Sequence, residues 1–177
     1  EQQGAFETLG AGSRAIPPSQ CTDAMSRWEK ARRENYEGES ATGRYQRLSG
    51  MTAGEAEVLV PRILSVQREN RAVRYLVRPG LLGQVLESAG YSTAALGNED
   101  GGLSNAFSAL HREVAAIAMN AEGRVRCGDV GKDLLLPDAS LGATTNGPLL
   151  AQRFEDCYRR ASLIAVDLGD TGRALAR

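Results

Sequence analysis

Two segments of the chain place a helical pattern of apolar residues directly before a continuous apolar run, and this arrangement constrains the fold most. In residues 80–96, apolar residues recur at helical spacing and a strand pattern follows at 91–96. In residues 148–166, Pro148 opens a second helical pattern, and residues 163–166 form the clearest strand pattern in the chain. Because unbroken apolar strands are usually covered on both faces, we expect an α/β fold. The predicted architecture is a three-layer α/β/α sandwich with a mainly parallel sheet and a small hairpin.

The size and charge of the chain exclude several classes of protein. Its 177 residues fit a single domain, here a single α/β domain spanning residues 1–177. The 22 acidic and 21 basic residues leave a net charge of −1, whereas a nucleic-acid or membrane-surface protein carries a basic excess. The apolar runs are short, as at residues 114–119, while a membrane helix needs about 20 apolar residues. We therefore expect no nucleic-acid partner and no membrane span in this segment.

Weaker patterns predict the remaining elements of the first half of the chain. Thr22 is a suitable N-cap for a helix at residues 22–35, and a short helix is expected at 41–48. Residues 58–60 form a strand pattern, and Pro61 can open the helix that follows. Alternating valine and tyrosine side chains at residues 73–77 allow another short strand.

The second half of the chain adds a predicted hairpin and a long loop. The apolar residues 114–119 are expected to form a strand, joined by a turn at 120–123 to a second strand at 124–127. Residues 138–146 are polar and are expected to form a loop before the helix at Pro148.

The three cysteines do not form a recognisable disulfide or metal-binding pattern. Cys21, Cys127 and Cys157 are widely spaced and odd in number. Buried free thiols are the predicted state, because cysteine is among the most buried residue types.

Two acidic, glycine-rich segments follow the predicted strands. In open α/β sheets ligands bind beyond the carboxyl ends of the strands, and residues 97–102 and 167–172 lie directly after two such ends. Together they can supply oxygen ligands to a hard divalent cation. The alternative is that Asp, Asn and Gly are simply the residues that turns contain.

Two other features give weaker indications. Gly10 and Gly12 match the dinucleotide-binding spacing G-x-G-x-x-(G/A), but Pro17 and Pro18 interrupt the helix that this motif requires. His111 is the only histidine and has no cysteine or histidine partner nearby in the sequence, so we expect a surface or capping residue.

Three segments carry a resemblance to a known family. Residues 81–97, Leu-Leu-Gly-Gln-Val-Leu-Glu-Ser-Ala-Gly-Tyr-Ser-Thr-Ala-Ala-Leu-Gly, resemble a signature of the alkaline phosphatase superfamily, in which a helix ending in AGY leads into a strand ending in GK or GN. Residues 161–173 are similar to its later strand and Asp-containing loop, and residues 8–14 to the end of the helix after its nucleophile. The superfamily includes sulfatases, phosphatases and cofactor-independent phosphoglycerate mutases. The layout looks like an uncharacterised bacterial branch that is often exported and membrane-anchored.

The resemblance implies a metal-dependent hydrolase of phosphate or sulfate esters, or a phosphotransferase. It implies divalent metals (Zn, Mn or Mg), with Asp167 and Asp170 as candidate ligands. Candidate residues near the anion, or supporting the ligands from behind, are Asn98, Glu99, Asp100 and Thr171. It also implies an extracytoplasmic or membrane-anchored location, with an anchor elsewhere in the parent chain.

Departures from the family pattern leave a second interpretation open. Residues 1–7 contain no Ser, Thr or Cys to act as the nucleophile. Ala174 and Leu175 stand where a histidine ligand is expected, and sulfatases carry lysine at the position of Asn98. The chain is therefore expected to be a catalytically inactive fragment of a longer protein. The alternative is a non-catalytic α/β module with a binding or cell-envelope role.

Overall fold

The computed structural model describes residues 2–15, 23–30, 38–71, 76–101 and 110–175, with side chains described from residue 5. Within these residues the α-helices are α1 (Gln2–Ala11), α2 (Ala41–Ser49), α3 (Ile63–Arg71), α4 (Leu81–Ser88), α5 (Ala115–Ala118), α6 (Gly147–Tyr158) and α7 (Asp170–Leu175). The β-strands are β1 (Met25–Ser26), β2 (Val58–Leu59), β3 (Thr93–Gly97), β4 (Arg124–Val125), β5 (Cys127–Asp129), β6 (Leu135–Asp138), β7 (Gly142–Thr145) and β8 (Leu163–Asp167). The chain is thus a mixed α/β protein with three small sheets, one of them parallel.

The parallel sheet has the strand order β5-β3-β8. Its central strand, β3, is buried along its whole length and is hydrogen-bonded to a parallel neighbour on each side. Ala94 pairs with Cys127 on one side, and Gly97 pairs with Asp167 on the other. The two helix–strand units predicted from the sequence are therefore confirmed as α4–β3 and α6–β8, and they supply two adjacent parallel strands.

Helices cover the two faces of this sheet. On one face, Ala95 and Ala165 share a buried cluster with the residues of α5, and α1 and α4 pack against α5 from outside. On the other face, Leu96 and Cys127 share a cluster with Leu150 of α6. Burial on both faces explains why β3 reads as a continuous apolar run, whereas β8 is partly exposed at Val166.

Two antiparallel sheets complete the described fold. The first has the order β1-β2-β4, with Met25 opposite Leu59 and Val58 opposite Val125. The second is the hairpin of β6 and β7. The predicted elements at 41–48, at 58–60 and after Pro61 are confirmed as α2, β2 and α3.

The helix predicted at residues 22–35 is wrong where it can be compared with the structure. Within the described residues 23–30, Met25 and Ser26 form strand β1. Met25 is buried in a cluster with Tyr45 and Leu59, and this tertiary contact outweighs a helical pattern with a thin apolar face. The rest of that prediction, and most of the strand predicted at 73–77, lie outside the described residues.

The strand predicted at residues 114–119 is also wrong, because this run forms the short helix α5. A short apolar run does not by itself distinguish a buried strand from a buried helix. Three of the four residues of α5 are alanine, the strongest helix former, and small side chains allow neighbouring backbones to approach. A Cβ on Gly10 of α1 would lie 2.0 Å from the carbonyl oxygen of Ala116, and one on Gly83 of α4 would lie 2.2 Å from that of Met119.

The loop predicted at 138–146 contains most of the β6–β7 hairpin. Asp138 stabilises its turn by accepting hydrogen bonds from the backbone of Ser140 and Leu141. The predicted turn at 120–123 is present, but it connects α5 to β4 rather than two strands of a hairpin.

The prediction of free cysteines is wrong for two of the three. Cys127 on β5 and Cys157 on α6 are buried as expected, yet they form a disulfide, with Cα atoms 5.9 Å apart. The packing of α6 against the sheet brings together residues that are 30 positions apart in sequence. Cys21 lies outside the described residues.

Among the described residues, no helix combines the length and the apolar character needed to cross a bilayer.

Candidate functional site

The carboxyl edge of the parallel sheet brings the two acidic loops into contact. Gly97 and Asp167 are paired residues at the ends of β3 and β8. Both loops need glycine at this point: Gly97 has φ +90°, and a Cβ there would lie 1.8 Å from the carbonyl oxygen of Asp167. Gly169 has φ +72°, and its Cβ would lie 2.1 Å from the carbonyl oxygen of Asn98. The backbones of the two loops are therefore in direct contact. The sequence pattern predicted only that the loops lie near each other.

Asp167 ends β8 with a carboxylate that is only partly satisfied. Its Oδ1 accepts a hydrogen bond of 2.9 Å from the backbone N–H of Gly169. Its Oδ2 is buried and has no hydrogen-bond partner within the described part of the chain. Burial raises the pKa of Asp167, and the negative charge of Glu113 raises it further, against the hydrogen bond from Gly169 and the charge of Arg173. A carboxylate in this state gains free energy by binding a proton or a cation.

Glu113 and His111 belong to the same edge, although the sequence did not single them out as site residues. The Glu113 side chain is 5 % exposed, and its Oε1 lies 3.4 Å from Nδ1 of His111. This hydrogen bond raises the pKa of His111, while burial opposes the rise and the charges of Glu113, Asp100 and Glu99 add to it. The histidine predicted to be an ordinary surface residue is therefore half-buried among carboxylates. Its position two residues before a glutamate is the only sequence signal that pointed to this pair.

Asp170 and Thr171 begin helix α7, and they have different surroundings. Thr171 is exposed. Asp170 accepts hydrogen bonds from the Thr145 backbone N–H at 3.0 Å and from Arg173 Nη2 at 2.7 Å. Burial alone would raise the pKa of Asp170, but these hydrogen bonds outweigh burial and lower it. The carboxylate of Asp170 is therefore already compensated by a cation of the protein itself.

Arg173 connects the two loops and the β6–β7 hairpin. Its side chain is fully buried, and Nη1 donates to the carbonyl oxygens of Asn98 and Asp100 at 3.0 and 3.2 Å. Nη2 donates to the carbonyl oxygen of Leu168 and to Thr145 Oγ1. A buried arginine with this many partners fixes the relative positions of the loops.

Asn98 and Asp100 are buried and use their side chains within the protein. Asn98 Nδ2 donates to the carbonyl oxygens of Val130 and Gly131, both at 2.9 Å. Asp100 accepts from the His111 backbone N–H at 2.6 Å and from Arg112 Nε at 2.8 Å. Both residues thus hold the edge of the sheet in place.

Arg112 extends this network away from the edge. It is 2 % exposed and also pairs with Glu29, at 2.5 Å from Nη1 to Oε2. Although burial opposes the charged form, the charges of Asp100 and Glu29 raise the pKa of Arg112. Arg112, which lies between His111 and Glu113 in the sequence, is therefore a permanently charged, buried cation.

Glu99 lies at the surface of the same edge. Its backbone N–H donates to the carbonyl oxygen of His111 at 2.7 Å, which places the segment of His111 beside the β3 loop. Its side chain is half-buried and lies against Gly172, where a Cβ would approach Glu99 Oε1 to 2.4 Å. The Glu99 side chain therefore lies against the start of helix α7.

The glycine pair near the N-terminus has no phosphate-binding geometry. Gly10 lies in the last turn of α1 and Gly12 directly follows that helix, whereas the dinucleotide motif requires a strand before the glycines. Gly10 instead permits close packing on Ala116.

Comparisons with known proteins supply no identity. No family model, no curated protein and no solved structure matches the chain.

Proposed function

We propose that this chain carries the cation-binding edge of a metal-dependent hydrolase of phosphate or sulfate esters, or of a phosphotransferase. The observation that supports this most is the buried, unpartnered Oδ2 of Asp167 at the carboxyl end of a parallel strand. The three-layer α/β/α sandwich belongs to the same proposal, and helices on both faces of the parallel sheet support it.

The residues present fit a divalent cation at Asp167 better than at Asp170. Asp167 has one oxygen without a partner in the described residues, and the charge of Glu113 acts on it. Carboxylate oxygens are the preferred ligands of Mg²⁺ and Mn²⁺, and histidine near a carboxylate also suits Zn²⁺. Asp170 would first have to release Arg173. We therefore propose Asp167 rather than Asp170 as the ligand, with Glu113 as the carboxylate whose charge acts on it.

The chain's own residues have separate roles in this proposal. A divalent cation supplies charge neutralisation on the transferred group and lowers the pKa of the attacking hydroxyl. The hydrogen bond between His111 and Glu113 raises the pKa of His111 and so favours a positive charge beside the carboxylates of the edge. Asn98, Asp100 and Arg173 keep the two loops at a fixed separation. The attacking hydroxyl is expected from a residue of the parent protein outside this segment.

The test is cation binding by the chain and turnover by the parent protein. Asp167→Asn is expected to lower the affinity for Mn²⁺ or Zn²⁺ at least about tenfold, measured by calorimetry. In the parent protein the same change should abolish turnover of p-nitrophenyl phosphate or p-nitrophenyl sulfate. Asp133→Asn, at an exposed carboxylate in the 3₁₀ helix Lys132–Leu134, is the matched control and should change neither the affinity nor the turnover.

Two results would contradict the proposal. One is equal metal content in the wild-type protein and in Asp167→Asn. The other is undiminished turnover in that variant. A further comparison with Asp170→Ala separates the two aspartates, because loss of metal in that variant alone would transfer the ligand role to Asp170.

A non-catalytic α/β module is the second candidate function. It is favoured by the internal hydrogen bonds of Asn98, Asp100 and Asp170, which serve the fold and need no ligand. The parent reading frame distinguishes the two candidates. An upstream Asp followed by Ser or Thr, together with a downstream Asp-His-Gly, would favour the enzyme, and absence of both would favour the module.

The cellular location remains part of the proposal. The Cys127–Cys157 disulfide supports an extracytoplasmic or membrane-anchored parent protein, because disulfides persist mainly in oxidising compartments. Fractionation of cells that produce the tagged parent protein tests this directly.

A further inference from the structure

A second group of ligand-type side chains lies away from the carboxyl edge. Glu57, Cys127 and Cys157 each offer one ligand atom, and these atoms lie within 4.8 Å of one another. Cys127 pairs with Ala94 on β3, three residues before the end of the strand at Gly97. At a rise of about 3.3 Å per residue this is about 10 Å from the edge of the sheet. The group is therefore separate from the site at Asp167.

The carboxylate of Glu57 is held in position by the protein around it. The backbone N–H of Gly128, next to Cys127, donates to Glu57 Oε2 at 2.9 Å. Arg160 donates to Oε1 at 2.7 Å and to Oε2 at 3.3 Å. Such supporting hydrogen bonds are what orients carboxylate ligands in metal centres. The Arg160 side chain is 52 % exposed, so it can release one oxygen of Glu57 toward solvent without opening the core.

A small cavity reaches two residues of this group, Glu57 and Cys157, whereas Cys127 does not line it. It has a volume of about 100 Å³, and its lining includes Cys157 and Glu57 together with Arg153 and Arg160. A water molecule occupies about 30 Å³ of the liquid, so a hydrated ion that has lost most of its shell fits in this space.

We propose that Cys127, Cys157 and Glu57 bind one zinc ion when their disulfide is reduced, and that the disulfide is the metal-free form of the same site. Two thiolates and one carboxylate suit Zn²⁺, whose remaining tetrahedral position is left to solvent. The three ligands carry three negative charges and the ion carries two positive ones. The guanidinium of Arg160 beside Glu57 neutralises the charge that remains.

The exchange between the two forms balances as an ordinary thiol–disulfide reaction. A dithiol reductant supplies two electrons and two protons, the Cys127–Cys157 bond breaks, and the reductant closes into its own disulfide. Zn²⁺ then displaces the two thiol protons, which pass to solvent. In the reverse direction, an oxidant of the disulfide class takes two electrons from the thiolates and releases the ion.

The distances require only local movement. In a zinc dithiolate each Zn–S bond is about 2.3 Å, so the two sulfurs must separate to about 3.8 Å. The Cα atoms are 5.9 Å apart, and the proposal requires the two buried side chains to rotate until their sulfurs reach this separation. Glu57 already lies within ligand reach of both sulfurs.

The experiment uses the full chain with Cys21→Ser, so that only the two paired cysteines remain. The protein is reduced with a phosphine, which is then removed under argon, and Co²⁺ and Zn²⁺ are titrated. We expect one metal per chain, with the thiolate-to-cobalt charge-transfer band in the near ultraviolet and the visible bands of tetrahedral cobalt. Zn²⁺ should displace cobalt and remove both signals, whereas the oxidised protein should give neither.

Two glutamate variants separate this site from unspecific binding. Glu57→Gln retains both cysteines and should weaken zinc binding at least about tenfold. Glu55→Gln, an exposed position two residues away that pairs with Arg126, should leave the affinity unchanged. Equal affinities in the two variants, or equal binding by the oxidised and reduced proteins, would overturn the proposal.

Circular dichroism covers the case in which reduction unfolds the chain. Zinc should then restore the native spectrum of the reduced Cys21→Ser protein, because ligands bound only by the folded form stabilise it. A reduced chain that stays unfolded in excess zinc would also overturn the proposal.

Discussion

Arg173 determines more of the geometry of the carboxyl edge than any carboxylate there. It is fully buried and donates to Asn98, Asp100, Thr145, Leu168 and Asp170. Removing one partner of a buried ionic network leaves the other buried charges unpaired. The resulting loss of stability is larger than that from removing an ion pair at the surface. At the scale of the residue, the site is therefore organised by an internal cation, with Asp167 left available.

Replacement of Arg173 is expected to be strongly destabilising. Arg173→Met should lower the free energy of unfolding by about 3 to 5 kcal/mol, because several buried acceptors lose their donor. The matched control is Arg159→Met, which removes a pair of the same spacing with Asp156, but at the surface. That change should cost less than about 1 kcal/mol. Urea denaturation of both variants measures the difference, and equal losses would show that Arg173 does not organise the edge.

The His111–Glu113 pair predicts a pH dependence of known sign. The hydrogen bond to Glu113 raises the pKa of His111 above its ordinary value of 6.5. The pair therefore stabilises the fold fully below the pKa of the unfolded chain, and the contribution is lost as pH rises through the higher folded-state pKa. Because His111 is the only histidine, one proton resonance reports its titration directly.

Glu113→Gln is the control for this titration. Without the carboxylate, the pKa of His111 should fall toward or below 6.5, because burial opposes the charged form. A wild-type pKa at or below that of the variant would contradict the assigned contact.

Several elements of this fold pack with their backbones in close contact, and glycine allows this approach at three positions. Gly97 lets the end of β3 approach β8, while Gly10 and Gly83 let α1 and α4 approach α5. At each position a Cβ would lie within 2.2 Å of a backbone carbonyl oxygen, and backbone cannot rotate away as a side chain can. At the scale of elements, packing is therefore limited by main-chain contacts as much as by apolar area.

Adding a single methyl group at one of these positions tests this directly. Gly97→Ala should destabilise the protein by about 3 kcal/mol or more, since it combines a positive φ with a clash against Asp167. Gly147→Ala, at the start of α6 with no atom within 4 Å of its Cβ, should be neutral or slightly stabilising. Thermal unfolding compares the two. Similar melting temperatures would argue against the close approach of β3 and β8.

The whole molecule is built around one short strand. β3 is buried throughout and is bonded on both edges, whereas β8 is bonded on one edge in the described residues and exposes Val166. The β6–β7 hairpin exposes Leu136 and is tied to the parallel sheet through Asp170 and Arg173. Stability is expected to decrease outward from β3, since local opening follows burial and contact density.

Amide hydrogen exchange should reproduce this order. The amides of β3 are expected to exchange only through global unfolding, at least roughly a hundredfold more slowly than those of the β6–β7 hairpin. Exchange measured by NMR resolves individual residues of both elements. In Arg173→Met the amides of the hairpin should exchange still faster relative to those of β3, because the hydrogen bond from Arg173 to Thr145 of β7 is lost. A hairpin as protected as β3 would contradict the proposed order.

Two adjacent strands of the parallel sheet, β3 and β8, could be predicted from the sequence, whereas the residues of the third, β5, overlap a strand that was predicted in an antiparallel hairpin. The α4–β3 and α6–β8 units were predicted because helical spacing followed by an unbroken apolar run has few other solutions. The same logic placed residues 97–102 and 167–172 at one edge of the sheet, and the pairing of Gly97 with Asp167 agrees with it. These units could be predicted because a strand and the loop that follows it are specified largely by residues close together in the sequence.

The remaining features depend on contacts between segments that are distant in the sequence. The run at 114–119 became a helix because α1 and α4 pack closely against it, and Met25 entered a strand because Leu59 was available opposite it. The Cys127–Cys157 bond joins residues 30 positions apart, and the five partners of Arg173 lie in two loops, in strand β7 and at the start of α7. Such contacts depend on which distant segments pack together, and the spacing of residues within one segment does not show this. The sequence therefore identified the edge that carries the candidate site, while the fold determined which of its carboxylates remained without an internal partner.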